Sequence, residues 1–284
     1  MSENNEAPSN RKLGFLAPLA IALVAVAVLL FATFSRKPAP PAPAPAPPPP
    51  APVQPPPSFK PEPPLDRAAL IAVGDRAAAA YAAGGTAAKS DVIGRSFILR
   101  LPFGCGGAQA SPGASQAAYV YDPARKTIRV TVRPAAWKDL PQIQSLPNAD
   151  QLEAVQGFWL ERPWSDAETC PPPRSGPPPA TPTPPSLETL GLASLFESGG
   201  SRVQRRGDRP YEVVRKVGDD DAAVVSHSYR LVLEGRLSGF PGGQAARCWS
   251  ETADHRPVCL LGVTIERVAI EDGQSGEVLG EWRD

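Results

Sequence analysis

Few residues of this 284-residue chain can do chemistry: four cysteines, two histidines and one arginine-rich stretch. Cys105 sits in Phe103-Gly104-Cys105-Gly106-Gly107, Cys170 precedes three prolines, and Cys248 and Cys259 bracket a polar loop. The absence of a Cys-x-x-Cys pair argues against thiol–disulfide exchange. Four cysteines allow three pairings, and locality favours Cys105 with Cys170 and Cys248 with Cys259. Oxidised in that way they act as staples, worth about 4 and about 3 kcal/mol by chain entropy. A zinc site can be drawn from Cys248, His255, Cys259 and His227, but its spacing matches no usual finger or ribbon, and the same thiols oxidise outside the cytoplasm. No metal or cofactor is expected.

Catalytic residues are not expected either. A serine nucleophile needs a histidine held by a carboxylate; Asp254 adjoins His255 in sequence, a poor geometry for that bond, and no Gly-x-Ser-x-Gly elbow occurs. His227 lies in line with an apolar strand face and reads as a hydrogen-bonded, partly buried residue. Asp219-Asp220-Asp221, after Gly218, reads as a solvated turn rather than a hydrolase pair. The candidate binding surface is basic: Arg202, Arg205, Arg206, Arg209, Arg215 and Lys216. Guanidinium groups bind phosphate and carboxylate bidentately, which would suit anionic lipid, lipopolysaccharide or a protein. Asp208 and Glu212 dilute this run, and the plainer reading is a charged hairpin surface. With 29 basic and 29 acidic residues in the chain, nucleic acid is not an expected partner. Trp164-Ser165 near Cys170 and Trp249-Ser250 after Cys248 suggest tryptophans packed on disulfides.

The elements that must position these residues are mostly strands. Asp66 is placed as an N-cap, and Leu70, Val73, Ala77 and Tyr81 follow at helical spacing until Gly84-Gly85. Phe97, Leu99, Leu101 and Phe103 then share one strand face. Tyr119–Tyr121 and Thr127–Val132 flank a turn-rich Asp122–Lys126 and read as a hairpin. Gly157–Glu161, Leu190–Glu197, Tyr211–Val217 and Ala223–Leu237 have strand character. Cys259–Ile270 changes parity after Ile265, which predicts a bulge near Glu266-Arg267. Glu271–Gly276 turns the chain into a closing strand, Val278–Trp282. The expected fold is mostly β with one short N-terminal helix, as antiparallel sheets or a sandwich.

Ahead of this part stands an apolar run, Leu13–Phe34, of 22 residues. As a helix it spans about 33 Å, enough to cross a hydrocarbon core of about 30 Å. A proline-dominated stretch follows, with 16 prolines among the 27 residues from Pro38 to Pro64, and reads as a stiff spacer of about 80 Å if extended. The expected organisation is a cytoplasmic tail (1–12), a transmembrane helix (13–34), a Pro/Ala-rich linker (35–64), an α+β subdomain (65–170), a second proline-rich linker or loop (171–185) and a β-rich subdomain (186–284). Arg11 and Lys12 balance Arg36 and Lys37, so charge leaves the orientation open. The four cysteines beyond the anchor favour an N-in topology with the bulk in an oxidising space. Arginine outnumbers lysine 22 to 7, as in GC-rich bacterial coding, which makes that space the periplasm and the membrane a bacterial inner membrane.

This layout of short inner tail, single anchor, proline spacer and C-terminal periplasmic domain resembles that of TonB and of the inner-membrane anchors of secretion systems. TonB-like proteins carry a histidine within the anchor and a much shorter terminal domain. Here the anchor has no histidine and the terminal part runs to 220 residues, so the resemblance is one of layout and implies no energy transduction. The expected function is a non-enzymatic binding or scaffold protein with a periplasmic or cell-wall protein partner. The rival is a membrane-tethered hydrolase or accessory enzyme.

Overall fold

The structure, a computed structural model, describes residues 62–85, 90–109, 116–172, 188–218 and 228–283. The expected anchor at 13–34, the spacer as far as Pro61, Asp219–Asp221, His227 and most of the second proline tract lie outside these residues. Among the described residues no helix is long and apolar enough to cross a membrane.

Helix α1, Arg67–Ala82, begins as its sequence requires: the Asp66 side chain accepts from the Ala69 amide, and Leu70, Val73 and Ala77 are buried along one stripe. Gly74 lies on the same face, where a Cβ would come within 2.6 Å of Leu190 Cδ1, so the missing side chain lets the helix sit close on the sheet. Among the described residues eleven strands follow: β1 Ser96–Phe103, β2 Ala117–Asp122, β3 Thr127–Val132, β4 Ala135–Ala136, β5 Leu152–Trp159, β6 Leu190–Glu197, β7 Tyr211–Lys216, β8 Tyr229–Leu237, β9 Ala246–Trp249, β10 Val258–Asp272 and β11 Val278–Arg283. A four-residue helix, α2 Pro141–Gln144, and a 3-10 turn lie between β4 and β5.

Two sheets result. The larger runs β1-β8-β10-β6-β5-β4, with β9 and β11 also on β10; the smaller is β2-β3-β7. All named strand pairs are antiparallel except β6 with β10, which run parallel. The expected division at the second proline tract is not how these strands pair. β1 pairs with β8, β5 with β6 and β3 with β7, so each sheet draws strands from both sides of residues 171–185. Lys60–Asp284 is one compact unit. The strand expected at Gly157–Glu161 begins earlier, at Leu152. The expected Ala223–Leu237 strand is described from Tyr229 onward.

One face of the large sheet carries Leu99, Leu101, Leu231, Leu233, Val268 and Ile270. These form one core with α1 and with Tyr119, Val130, Val132 and Tyr211 of the small sheet. The bulge at Glu266 keeps them together: the β8–β10 register shifts between Ile265 and Arg267, so Val263 and Ile265 before it and Val268 and Ile270 after it all face inward. A second cluster on the β4–β6 side contains Trp137, Ile143, Leu152, Val155, Phe240 and Leu260. There Gly157 leaves room for the Trp137 ring, since a Cβ would lie 2.2 Å from Trp137 Cζ3 and 2.0 Å from the Leu192 carbonyl oxygen. Aromatic rings join the sheets, with Tyr119 meeting Tyr229 edge-on at 4.9 Å and Tyr211 meeting Trp282 at 5.0 Å.

Both expected disulfides form, Cys105–Cys170 and Cys248–Cys259, across 65 and 11 residues of sequence. The second lies directly across the β9–β10 ladder. Neither Trp164, at 63% exposure, nor Trp249, at 37%, is sealed over its bridge. Replacing Cys105 and Cys170 together with alanine should lower the unfolding free energy by about 4 kcal/mol, and replacing Cys248 and Cys259 by about 3 kcal/mol, in denaturant titrations; losses near zero would show that the bridges do not constrain the unfolded chain.

Burial, with Tyr119 and Asp272 nearby, pushes the Tyr229 phenol up to about 12. The fold thus holds it neutral where an unfolded tyrosine, at about 10, already ionises. Its contribution is complete below pH 10 and falls as pH rises from 10 to about 12. Denaturation at stepped pH should show that loss, and Tyr229→Phe should flatten it; equal slopes in the two proteins would contradict the assignment.

Candidate functional site

A groove in the large sheet arises where β10 changes partners. Its parallel ladder with β6 runs from Cys259 opposite Leu190 to Gly262 opposite Ala193 and stops there, while β11 joins only at Arg267. Strand β6 stays with β5 as far as Glu197. The two strands separate, and a groove of about 560 Å³ opens between them. Ser194, Leu195, Phe196 and Glu197 form one wall, and Val263, Thr264 and Ile265 the other. The turn after β6 (Gly200, Ser201, Val203, Gln204) and the turn after β8 (Ser238 to Pro241) form the rims.

Main-chain groups point into this gap. Leu237, opposite Val263, donates to the Arg95 carbonyl and accepts from the Gly94 amide, so its polar groups face β1. Val263 and Ile265 accordingly turn theirs away from β8. On β6 the Leu190 carbonyl accepts from Leu160, on the β5 side, so by alternation Leu195 faces the gap. Two side-chain oxygens in the lining, Ser194 Oγ and Asn148 Oδ1, are buried without a partner. A buried polar group left unpaired costs about 1–3 kcal/mol, which a ligand able to pair it would relieve. Among the described residues, the only ionisable side chain in the lining is Glu197.

The rim after β6 is fastened at two points. Gln156, buried on β5, accepts from the amides of Arg206 and Gly207 at 3.0 and 3.3 Å and donates to the Gly207 carbonyl at 3.2 Å. Glu153 sits where the β5–β6 register slips, and it binds Arg202 at 2.8 Å and Arg205 at 2.6 Å. The Arg205 hydrogen bond holds its carboxyl below the usual range, with the charge of Arg202 also favouring the ionised form.

The basic cluster expected from sequence is therefore largely occupied within the molecule. Arg202 and Arg205 share Glu153, and Arg215 pairs with Glu277 at 2.7 Å. Arg206 folds back, donates to the Pro210 carbonyl at 2.9 Å and lies 4.5 Å over the Tyr211 ring. Arg209 turns to the Arg206 carbonyl, and Lys216 ends β7 opposite Thr127. The structure thus brings Arg202, Arg205 and Arg206 to the turn that rims the groove, while Arg215 and Lys216 belong to the small sheet. Glu251, Asp254 and His255 stand exposed between β9 and β10 and do not line the groove.

Sequence reading missed a buried arginine. Arg67, 1% exposed, donates to the carbonyls of Glu161, Arg162 and Ser165 and so fixes the loop leading to Cys170. Burial lowers its pKa and raises that of Glu161 beside it. A second hollow of about 450 Å³ lies at this end of α1, lined by Arg67 and Arg100 but also by Asp66, Asp166 and Glu168. Arg100 is already spread between Glu168 and Glu271. Only its position just inside the N-cap distinguished Arg67, and that gives no hint of three carbonyls nearly a hundred residues away.

Comparison with known proteins finds no match: no family model, no curated protein and no solved structure matches this chain.

The rim's attachment can be tested at Gln156. Gln156→Leu keeps volume but leaves the Arg206 and Gly207 groups unpaired, and should cost about 1–3 kcal/mol. Hydrogen exchange should rise selectively across residues 201–209; unchanged exchange there would show that the turn is held by other contacts.

Proposed function

We propose that this protein is a single-pass bacterial inner-membrane protein whose folded part, in the periplasm, is a non-enzymatic binding domain that holds a protein or cell-wall partner in the β6–β10 groove. The observation that carries this reading is the groove itself, with buried oxygens of Ser194 and Asn148 unpaired in its lining. Neutral hydroxyl and amide groups around apolar Phe196, Phe240 and Ile265 suit recognition of a ligand by hydrogen bonds and contact. Two closed disulfides favour an oxidising compartment. In this reading Leu13–Phe34 anchors the chain and the proline stretch sets how far from the bilayer the groove can search.

A photoreactive amino acid at Val203, 53% exposed on the rim, tests the role in intact cells carrying the full-length protein. Illumination should yield a discrete adduct with an envelope component, and the same probe at Asp254 should not. Carbonate washing should leave the chain in the membrane, and protease added to spheroplasts should remove the folded part. No adduct at Val203 above the Asp254 control would refute the groove as the binding face, and protection from protease would refute the topology.

A further inference from the structure

The groove's walls define its ligand more narrowly. Each is a β-strand edge, presented by β6 at Leu195 and by β10 at the Val263 carbonyl and at Ile265, where the ladder that joined them ends. We propose that the groove takes an extended, uncharged segment of a partner polypeptide as an added strand between β6 and β10, an inference that rests on the binding role above and supplies its chemistry. A peptide main chain offers amides and carbonyls to both sides at the two-residue repeat that strand edges present. The β10 stretch without a described strand partner on this side, residues 263–266, is about 13 Å long at about 3.3 Å per residue, room for about four residues of added strand.

Side chains around the gap select further. Ser194 is 9% exposed, and its unpaired hydroxyl can accept from an amide or pair with a small polar side chain. Val263, Ile265 and Phe196 make the floor of the gap apolar, each being under a tenth exposed. Among the described residues Glu197 is the sole charge in the lining, which disfavours an acidic segment. The expected occupant is therefore short, neutral and rich in valine, isoleucine, threonine or serine. A glycan offers hydroxyls but no donor–acceptor repeat matched to two strand edges.

The test uses the full-length protein in lipid nanodiscs, panned against a displayed library of random heptapeptides. Neutral, β-branched sequences should be enriched. Methylating single main-chain nitrogens of the tightest peptide should weaken it roughly threefold to tenfold at positions of either parity, because both edges of an inserted strand are bonded. Ser194→Val, which leaves every ladder in place, should weaken the same peptide by a similar factor. Ile265→Pro, which removes a donor from one wall, should do so provided the variant keeps its circular dichroism. Three results would each overturn strand addition: no peptide enriched above empty nanodiscs, tolerance of methylation at every position, or binding of chitotetraose in place of peptide. If one of these occurs while the Val203 adduct persists, strand addition is wrong and the binding role stands; if the adduct is lost too, both are wrong.

Discussion

Strand β10 has to be paired along 15 residues, and four other strands share that task. β9 and β6 flank its first part, and β8 and β11 its second. Each backbone amide or carbonyl buried without a partner costs free energy comparable to a lost hydrogen bond, so a strand this long inside a fold dictates where its neighbours lie. The Cys248–Cys259 bridge fixes its beginning to β9, and the core of Val263, Val268 and Ile270 fixes the inward face of its remainder. Helix α1 and the small sheet then cover what β10 and β8 present.

The change of partners along β10 also explains the groove. A bulge at Glu266 and a register slip at Glu153 stand on its two flanks, one in β10 and one in the strand beside β6. Bulges bend and add twist to the strand that carries them, so two of them on opposite flanks drive β6 and β10 apart beyond Ala193 and Gly262. The same residues serve elsewhere. The first bulge restores the inward parity of Val268 and Ile270, and the second aims Glu153 at Arg202 and Arg205.

Local pattern made much of the fold legible. The cap at Asp66, the alternation of Phe97 to Phe103, the Asp122–Lys126 turn and the parity change after Ile265 are all set by residues within a few positions of one another. The disulfide pairing followed from proximity in sequence. What pattern did not carry was non-local. A proline-rich tract between two groups of strands looks like a domain boundary, but β5 and β6 pair directly across it. The parallel β6–β10 contact joins segments almost seventy residues apart and has no local signature. The candidate site was illegible for the same reason. A groove made by the end of a ladder exists only once register is known, and its polar residues, Ser194 and Asn148, are of types found in any loop or strand. The arginines were conspicuous, yet a charge says nothing of whether a carboxylate such as Glu153 will meet it.

The contrast between these two surfaces bears on function. Arginine pairs such as Arg215–Glu277 are half-exposed, and pairs of that kind contribute about 0–1 kcal/mol. They mainly cancel charge and leave a surface with little net attraction for anions. The groove differs in the few charges of its lining and in strand edges that turn inward. Among the described residues seven buried side-chain polar atoms stand unpaired, two of them in this groove, and both bridges and a large shared core supply the stability that offsets such costs. Stability held in the disulfide-linked, aromatic-joined body thus permits an incomplete ladder at one place, and an incomplete ladder is a surface that another chain can complete.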